Sequence, residues 1–431
     1  MKRLLLSMAA LPLVIGGLSV SASADDGVNI LNNIVVKGEI RPRYESADTN
    51  SATKDAANAY TVRTHLVATA GLFEIPNLTA TLGLQSVNNF GSDKYNSTRN
   101  GSAGTGDTQY DTIADPQQAM LSEASLDYKI DKTALHAGRS QVNLDNQRFI
   151  GTVGWRQNER SYDSVYLANS SIENLSVLAA WVYGFQGVAG SAVETTVDTN
   201  TVLLHANYKV MDELSITAYD YMISNVYDTY GLALTGKINL DAVKLNYRAE
   251  YAKQSDATME IHTQTLTTGN ADADYINLDL GANINGILAG VNYEVLSGAS
   301  GTETAFGTLL GTNHKFNGWA DHFLTTPSGG LKDANIRLGY KAKGFGKLLA
   351  IYHDFTADTA GTTLKPMNDV NGNTSDDLGS EFDVVYVNKI PGVKNLKGLV
   401  KYAAYSKGTV TGYTSDVDKF WLMLDYKFST K

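Results

Sequence analysis

Three arginines and two carboxylates are concentrated in one connecting segment, residues 144–160. They are Arg148, Arg156, Arg160, Asp145 and Glu159. A guanidinium group is permanently charged and can donate two parallel hydrogen bonds to a carboxylate. The segment could therefore attract and orient anionic solutes. It could equally be neutralised by its own carboxylates and pack as a structural loop, and both interpretations can hold together.

The other chemically capable residues show no spacing typical of a metal or catalytic site. The seven histidines form no H-E-x-x-H pattern. A serine–histidine–aspartate set can form from distant residues and is not identifiable in the sequence. His65 and His205 are better explained as isolated polar positions in a lumen. We expect no metal, no cofactor and no enzymatic activity.

One oxygen-rich segment, Asp369 to Asp377, partly resembles a calcium-binding loop. It lacks the complete ligand spacing and the distal glutamate that would bind the ion through both oxygens. Asn, Asp and Gly also favour ordinary turns. A solvated turn is therefore favoured over a calcium site.

The N-terminal segment has the pattern of a secretory signal peptide. Two basic residues precede a short apolar stretch, and Ala22-Ser23-Ala24 offers the small residues of a cleavage site. A retained membrane anchor is the alternative, which the short stretch and the cleavage site disfavour. We expect residues 1–24 to be removed and residues 25–431 to form the mature protein.

The composition limits the possible partners. The whole chain has 35 basic and 45 acidic residues, a net charge of −10, and no cysteine. Without the two basic residues of the signal peptide the net charge is −12. Duplex nucleic acid is therefore excluded as a partner, because its binding requires a basic face. After the signal peptide no apolar run is long enough for a transmembrane helix.

The clearest strand covers residues 36–45. Its odd positions are charged: Lys37, Glu39, Arg41, Arg43 and Glu45. Because strand side chains alternate between two faces, these charges share one face. A cation facing lipid costs about 2–4 kcal/mol at the membrane midplane, so this face must meet water. Pro42 cannot donate a ladder hydrogen bond and is expected near the strand end.

The connections distinguish among all-β folds, since a soluble β-sandwich would alternate too. Short connections are expected near residues 74–77, 131–133, 172–174, 211–213, 241–242, 283–286, 344–346 and 391–395. Long ones include residues 88–116, 144–160, 256–271, 298–330 and 358–379. Eight short turns with both termini at the same end give 18 strands. This alternation predicts an all-β, antiparallel transmembrane barrel with short periplasmic turns and long extracellular loops.

Several longer motifs resemble the alginate-export family of outer-membrane barrels. They are Gly138-Arg139-Ser140-Gln141, Leu144 to Gly151, Gly154-Trp155-Arg156-Gln157, Tyr247-Arg248-Ala249-Glu250, Tyr293 to Gly298 and Lys315 to Leu324. The resemblance covers about residues 138–333. It implies a barrel of the same strand number with an arginine-rich pore. The family's namesake exports a polyuronate, and many relatives look like general or carboxylate-selective porins.

Together these features predict a passive channel in a Gram-negative outer membrane for small hydrophilic, anionic solutes such as carboxylates or uronates. The candidate pore-lining and constriction residues are Arg41, Arg43, Arg63, Arg139, Asp145, Arg148, Trp155, Arg156, Glu159, Arg160, Arg248, Glu250 and Arg337. The expected partners are outer-membrane lipid, lipopolysaccharide and the solutes, and a homo-oligomer is compatible with the sequence. Two alternatives stay open: a dedicated exporter of an anionic polysaccharide such as alginate, and an outer-membrane enzyme or structural barrel.

Overall fold

The computed structural model describes residues 29–91, 94–97, 108–189, 196–261, 270–362 and 365–430. The predicted signal peptide and His262 lie outside these ranges. The strands are β1 (Leu31–Asp48), β2 (Ala57–Leu72), β3 (Leu78–Asn89), β4 (Gln118–Ile130), β5 (Thr133–Ser140), β6 (Ser161–Asn169), β7 (Leu175–Gln186), β8 (Val197–Met211), β9 (Leu214–Ile223), β10 (Tyr227–Leu240), β11 (Val243–Ser255), β12 (Asp272–Ile284), β13 (Ile287–Leu296), β14 (Leu331–Ala342), β15 (Gly346–Thr356), β16 (Gly361–Thr362), β17 (Lys365–Pro366), β18 (Asp377–Lys389), β19 (Leu396–Ser406) and β20 (Val417–Ser429).

All of these strands except β16 and β17, which form a small separate hairpin, belong to one sheet of 18 strands that closes on itself. β1 pairs with β2 on one side and with β20, the last strand, on the other. Glu39, for example, lies opposite both His65 and Lys427. Closure leaves no sheet edge, which is how a β-structure satisfies its backbone hydrogen bonds in lipid. The predicted 18-stranded antiparallel barrel is confirmed.

The connections divide the barrel into two ends. Eight connections of two to six residues lie at one end, here called the turn end, at the predicted positions. Positive φ angles there fall on Asn77, Asp131, Asn174, Asp241 and Asn285. Asn and Asp tolerate this backbone region better than most residues, which suits tight hairpins. The long connections lie at the other end, the loop end, although residues 224–226 make a three-residue turn there.

The outer surface of the barrel is an apolar band. On β14, Ile336 and Leu338 are 61% and 64% exposed, whereas Asp333 and Asn335 on the opposite face are buried in the lumen. Tyrosines with exposed rings join the outer face, among them Tyr183, Tyr208, Tyr340 and Tyr426. Apolar residues outside and polar residues inside are the arrangement of transmembrane barrels.

Pro42 lies in the interior of β1, and the prediction that it sits near a strand end is wrong. The ladder between β1 and β20 is interrupted beside it. Ile40 pairs with Tyr426, and pairing resumes only at Arg43 with Met423. The missing N–H therefore falls beside a gap in the ladder, where a proline can be accommodated within a strand.

Two connections at the loop end fold into the barrel and form its core. The first inward loop is residues 141–160, between β5 and β6, and the second is residues 297–330, between β13 and β14. The second contains a single turn of 3-10 helix, Asn313–Lys315. Phe149 and Phe306, one from each loop, are buried in the same apolar cluster. Within the described ranges no helix is long and apolar enough to cross a membrane.

Gly38 packs against Phe428 at the seam where the barrel closes. A Cβ atom at position 38 would lie 2.1 Å from Cζ of Phe428. Gly38→Ala should therefore displace the ring and destabilise the barrel by about 1–3 kcal/mol, the usual effect of overpacking. Gly398→Ala is the control, because its Cβ would first meet the flexible end of Ile390, at 3.0 Å. Thermal loss of the folded gel band in detergent should show a lower midpoint for Gly38→Ala alone, and equal midpoints would contradict this packing.

Candidate functional site

The two inward loops contact each other through their backbones. The N–H of Gly151 donates to the carbonyl of Leu310 at 2.9 Å, and the N–H of Thr312 donates to the carbonyl of Gln147 at 2.9 Å. The Thr312 hydroxyl also accepts the N–H of Val153 at 3.1 Å. These bonds join the loops into one unit that crosses the lumen.

Arg41 and Arg43 of β1 hold the first inward loop against the barrel wall. Arg41 Nη1 donates to the carbonyl of Gly154 at 2.9 Å, and Arg43 Nη1 donates to the carbonyl of Trp155 at 2.7 Å. In return, Gln157 Nε2 donates to the carbonyl of Arg41 at 3.2 Å. Both guanidinium groups point into the lumen but are engaged by the loop backbone.

Arg63 of β2 binds the end of the same loop. Its side chain is 1% exposed, and it forms an ion pair with Glu159 and a longer one with Glu39 at 3.4 Å. Glu159 also accepts a hydrogen bond from the side chain of Gln141 at the start of the loop. Glu159 therefore ties both ends of the first inward loop to the wall.

Arg156 is the arginine that links the two loops. Its guanidinium lies 3.0 Å from Glu45 of β1 and 2.6 Å from Asp321 of the second loop. Asp115, from the connection before β4, lies 3.9 Å away. Burial disfavours the charge of Arg156, but Glu45 and Asp321 outweigh that effect and raise the pKa of Arg156 above its ordinary value.

Asp321 binds three partners at once. Besides Arg156, it accepts from Lys419 of β20 at 3.0 Å and lies 2.5 Å from the Nδ1 atom of His314. Burial would raise the pKa of a carboxyl group, but His314, Lys419 and Arg156 hold the pKa of Asp321 well below its usual range. One buried carboxylate thus connects the second loop to the first loop and to the wall.

An aromatic cage surrounds Lys401 of β19. Its Nζ atom lies 3.8 Å from the ring centre of Trp319, 4.1 Å from that of Trp155 and 5.1 Å from that of Trp421. The same atom lies 2.8 Å from Nε2 of His314. Trp155 belongs to the first loop and Trp319 to the second, so the cation attracts both loops to one wall position.

Arg148 anchors the middle of the first loop on the opposite side. Its Nε atom lies 2.9 Å from Oε1 of Glu294 on β13, and its Nη2 donates to Asn317 at 2.8 Å. The guanidinium also lies 4.7 Å from the ring centre of Phe316. The side chain is only 2% exposed. Its charge therefore binds the loop to the wall and is not available to a solute.

Arg160 differs from the other loop arginines. It donates to the carbonyls of Gly151 at 3.3 Å and Leu309 at 3.1 Å. In the part of the chain that the structure describes, no carboxylate lies within ion-pair distance of it. Arg160 and Arg156 line a cavity of about 350 Å³ at the loop end, together with Tyr227. Arg160 therefore leaves an uncompensated positive charge beside this cavity.

The remaining candidates form local pairs. Asp145 lies 3.1 Å from His205, Arg248 lies 2.6 Å from Glu250, and Arg337 lies 2.6 Å from Asp279. Arg248 and Arg337 are partly exposed on the lumen wall. These positions are separate from the Asp321 network.

Arg139 is bound to the neighbouring strand β6 at the loop end of β5. Its guanidinium binds both oxygens of Asp163 at 2.6 Å and donates to Gln186 at 2.7 Å. These contacts lie at the loop end of β5, and the pore-lining position of Arg139 stays a prediction.

The sequence indicated that Glu39 and Glu45 share a face with Arg41 and Arg43, but it did not indicate which carboxylates compensate the arginines of the loop. These partners are Glu45, Asp115, Glu294 and Asp321. Asp321 lies within a motif used for the family resemblance, but it is 165 positions from Arg156. Pairing over such a distance leaves no spacing signal.

The turn that begins at Asp369 satisfies its own carboxylate. Asp369 accepts the backbone N–H groups of Asn371 and Asn373 at 2.9 and 2.8 Å, and the side-chain amide of Asn373 at 3.1 Å. The bond from the Asn373 side chain is the largest cause that lowers the pKa of Asp369. Among the described residues no group of three or more acidic or histidine side chains is placed to hold a metal.

A closed barrel narrowed by inward loops is the architecture of a channel. The fold is similar to OccAB4 of Acinetobacter baumannii, with a TM-score of 0.68, 16% identity and coverage of 93% of this chain and 99% of that one. It is also similar to OpdK of Pseudomonas aeruginosa, solved with vanillate, with a TM-score of 0.68, 12% identity and coverage of 92% and 99%. OccK5 (OpdH) of Pseudomonas aeruginosa gives a TM-score of 0.66 at 13% identity, with coverage of 93% and 99%.

No family model and no curated protein matches the sequence. The alginate-export label is therefore not supported, and the fold is instead similar to the Occ and Opd porins. The motifs that suggested the label lie largely in the two inward loops and the strands beside them. They indicated the barrel but not the particular family.

Asp321→Asn should loosen the joined loops. Removing one member of a buried charge network typically costs about 3–5 kcal/mol. The pKa of Asp321 is lower in the folded protein than in the unfolded chain, where it is about 3.9. Asp321 therefore stabilises the fold fully at pH values above its pKa in the unfolded chain. This stabilisation is lost as the pH falls through the pKa of Asp321 in the folded protein. At pH 7 the thermal midpoint of Asp321→Asn in detergent should therefore be lower than that of the wild type. On acidification the midpoint of the variant should decrease less than that of the wild type.

Asp369→Asn is the control for this experiment, because Asp369 is a half-buried carboxylate whose hydrogen bonds lie within its own turn. Its midpoint should lie close to that of the wild type at pH 7 and should fall with it on acidification, because Asp321 is intact. Equal midpoints for Asp321→Asn and wild type at pH 7 would mean that Asp321 does not hold the loops.

Proposed function

We propose that the mature chain, residues 25–431, is a Gram-negative outer-membrane channel for passive diffusion of small hydrophilic, anionic solutes such as carboxylates or uronates. Such transport needs no cofactor and no covalent step. Cavities of about 350 and 390 Å³ lie at the loop end and the turn end. The two joined inward loops separate them and would form the constriction.

The observation that carries the anionic preference is the position of Arg160. The other two arginines of the first inward loop face carboxylates, whereas Arg160 is held by carbonyls beside the loop-end cavity. In a narrow passage with low effective dielectric, an uncompensated guanidinium attracts anions strongly. It can also donate to a carboxylate in a two-pronged geometry. The acidic outer loops have less effect on a solute in the constriction, because salt screens charges beyond about 8–10 Å.

The environment of the barrel supports the same proposal. The outer apolar band matches outer-membrane lipid, and the exposed tyrosines suit its interfaces. The similar OpdK structure was solved with vanillate, a carboxylate. By the usual architecture, the turn end would face the periplasm and the loop end the outside.

Export of a long anionic polysaccharide has less support. A polymer would need a continuous wide passage, but both inward loops cross the lumen and are fixed by buried ion pairs. Small solutes could pass beside the docked loops without displacing them. The proposal is therefore restricted to small solutes.

Arg160→Ala should reduce anion preference. One unit charge at 4 Å in water contributes about 1 kcal/mol, so its loss should lower the anion-to-cation permeability ratio about fivefold. Lys253→Ala is the matched control, because Lys253 lies on the outer face and pairs with Asp272 at 2.5 Å. Reversal potentials in a salt gradient across planar bilayers measure the ratio. Cation selectivity of the wild type, or equal loss in both variants, would contradict the proposal.

The proposed orientation predicts labelling from one side. Asn373→Cys, in a long connection, should react with a membrane-impermeant thiol reagent on intact cells. Lys132→Cys, in the turn between β4 and β5, should react only after the outer membrane is opened. The chain contains no cysteine of its own, so labelling reports these positions alone. Equal labelling of Lys132→Cys on intact cells would refute the orientation.

A further inference from the structure

Asp127, His136 and Ser140 form a hydrogen-bonded chain on the lumen side of β4 and β5. Nδ1 of His136 lies 2.9 Å from Oδ1 of Asp127. Nε2 of His136 lies 3.1 Å from the hydroxyl of Ser140. These are the order and the distances of a nucleophile, a general base and the carboxylate that orients the base.

The local backbone explains how these residues meet. Asp127 lies directly opposite His136 in the ladder between β4 and β5. In a straight strand, residues four apart would be separated by about 13 Å, too far for His136 to reach Ser140. Gly138, between them, has φ +123°, and a Cβ atom there would lie 2.3 Å from the carbonyl of Ala124. The glycine bend brings Ser140 back towards the imidazole.

The carboxylate selects the tautomer that activates the serine. An ionised carboxylate only accepts, so Asp127 takes the proton of Nδ1. Nε2 faces both the Ser140 hydroxyl at 3.1 Å and the carbonyl of Gly138 at 3.3 Å, and in the neutral ring its lone pair accepts from Ser140. The ring is held by Tyr166, which stacks on it at 4.4 Å with an interplanar angle of 10°. His136 can therefore act as a base towards the Ser140 hydroxyl.

In a second serine–histidine pair nearby, the hydrogen bond runs in the opposite direction, from histidine to serine. Nε2 of His65 lies 2.9 Å from the hydroxyl of Ser122, but Nδ1 faces the guanidinium of Arg63 at 3.0 Å. A guanidinium only donates, so Nδ1 must accept and Nε2 must carry the proton. His65 therefore donates to Ser122 and cannot deprotonate it. The barrel contains an internal control for the first set.

The Asp127–His136–Ser140 set is reachable from the lumen. The Asp127 side chain is 30% exposed and Ser140 is half-buried, whereas the His136 ring is protected. Ser140 is the last residue of β5, directly before the first inward loop. A small molecule in the lumen could therefore contact its hydroxyl without displacing the Asp321 network.

We propose that Ser140, His136 and Asp127 hydrolyse small carboxylic esters that enter the lumen. The Ser140 oxygen bonds to the ester carbonyl carbon while His136 takes the hydroxyl proton. The bond from that carbon to the alcohol oxygen then breaks, and the alcohol leaves with the proton. Water, deprotonated by His136, attacks the acyl-serine, releases the carboxylic acid and restores the Ser140 hydroxyl. This activity is independent of which solutes the channel passes.

The test uses purified full-length protein in detergent with 4-nitrophenyl acetate and a fluorophosphonate probe. Wild type should release nitrophenolate and carry the probe on Ser140, located by peptide mass spectrometry. Ser140→Ala should carry no probe there. Because general base catalysis contributes about 10²–10⁴-fold, Ser140→Ala, His136→Gln and Asp127→Asn should each lower ester hydrolysis about tenfold or more.

Ser122→Ala is the matched control and should keep the wild-type rate. Each variant must retain the folded gel band and wild-type conductance, so that a loss of hydrolysis is not a loss of the barrel. Three results would overturn the proposal. They are wild type that is neither labelled nor active, Asp127→Asn labelled as fast as wild type, and Ser122→Ala impaired as much as Ser140→Ala.

Discussion

Charged side chains buried inside a barrel must be paired, because a guanidinium or carboxylate removed from water without a partner is strongly destabilised. The inward loops bring Arg148 and Arg156 into that environment. The wall supplies Glu294 and Glu45, and the second loop supplies Asp321. Satisfying these charges fixes where the loops lie, so the shape of the constriction follows from electrostatics. The tryptophan cage around Lys401 adds an attraction at the same level.

Pairing also determines which charges remain to act on a solute. The chain is acidic overall, with a net charge of −10, yet most acidic groups near the loops are spent on arginines. Arg160 is the exception among the three loop arginines, since carbonyls hold it. The local field beside the cavity can therefore differ in sign from the net charge of the protein.

The fold could be predicted because its signals are local. Alternation within a strand and the lengths of successive connections require only neighbouring residues, and they led to the 18 strands and to all eight short turns. Irregularities defeated the same reasoning. Pro42 lies inside β1, beside a gap in its ladder with β20, and not near a strand end.

The site was less predictable because its contacts join distant segments. The first inward loop and its arginines were recognised by composition, but the partners that neutralise them lie on β1, β13 and the second loop. The set of Asp127, His136 and Ser140 depends on strand register and one glycine, which residue types alone do not reveal. Sequence established which residues were available, and packing decided their roles.

The buried ion pairs predict that both inward loops are permanently docked and form one fixed constriction. Hydrogen–deuterium exchange followed by mass spectrometry measures this directly, because amide protection reports local opening. Peptides from residues 141–160 and 297–330 should exchange nearly as slowly as the neighbouring strands, and much more slowly than the exposed turn at residues 369–376. Exchange of the two inward loops as fast as that exposed turn would show that they are not docked and would contradict the account.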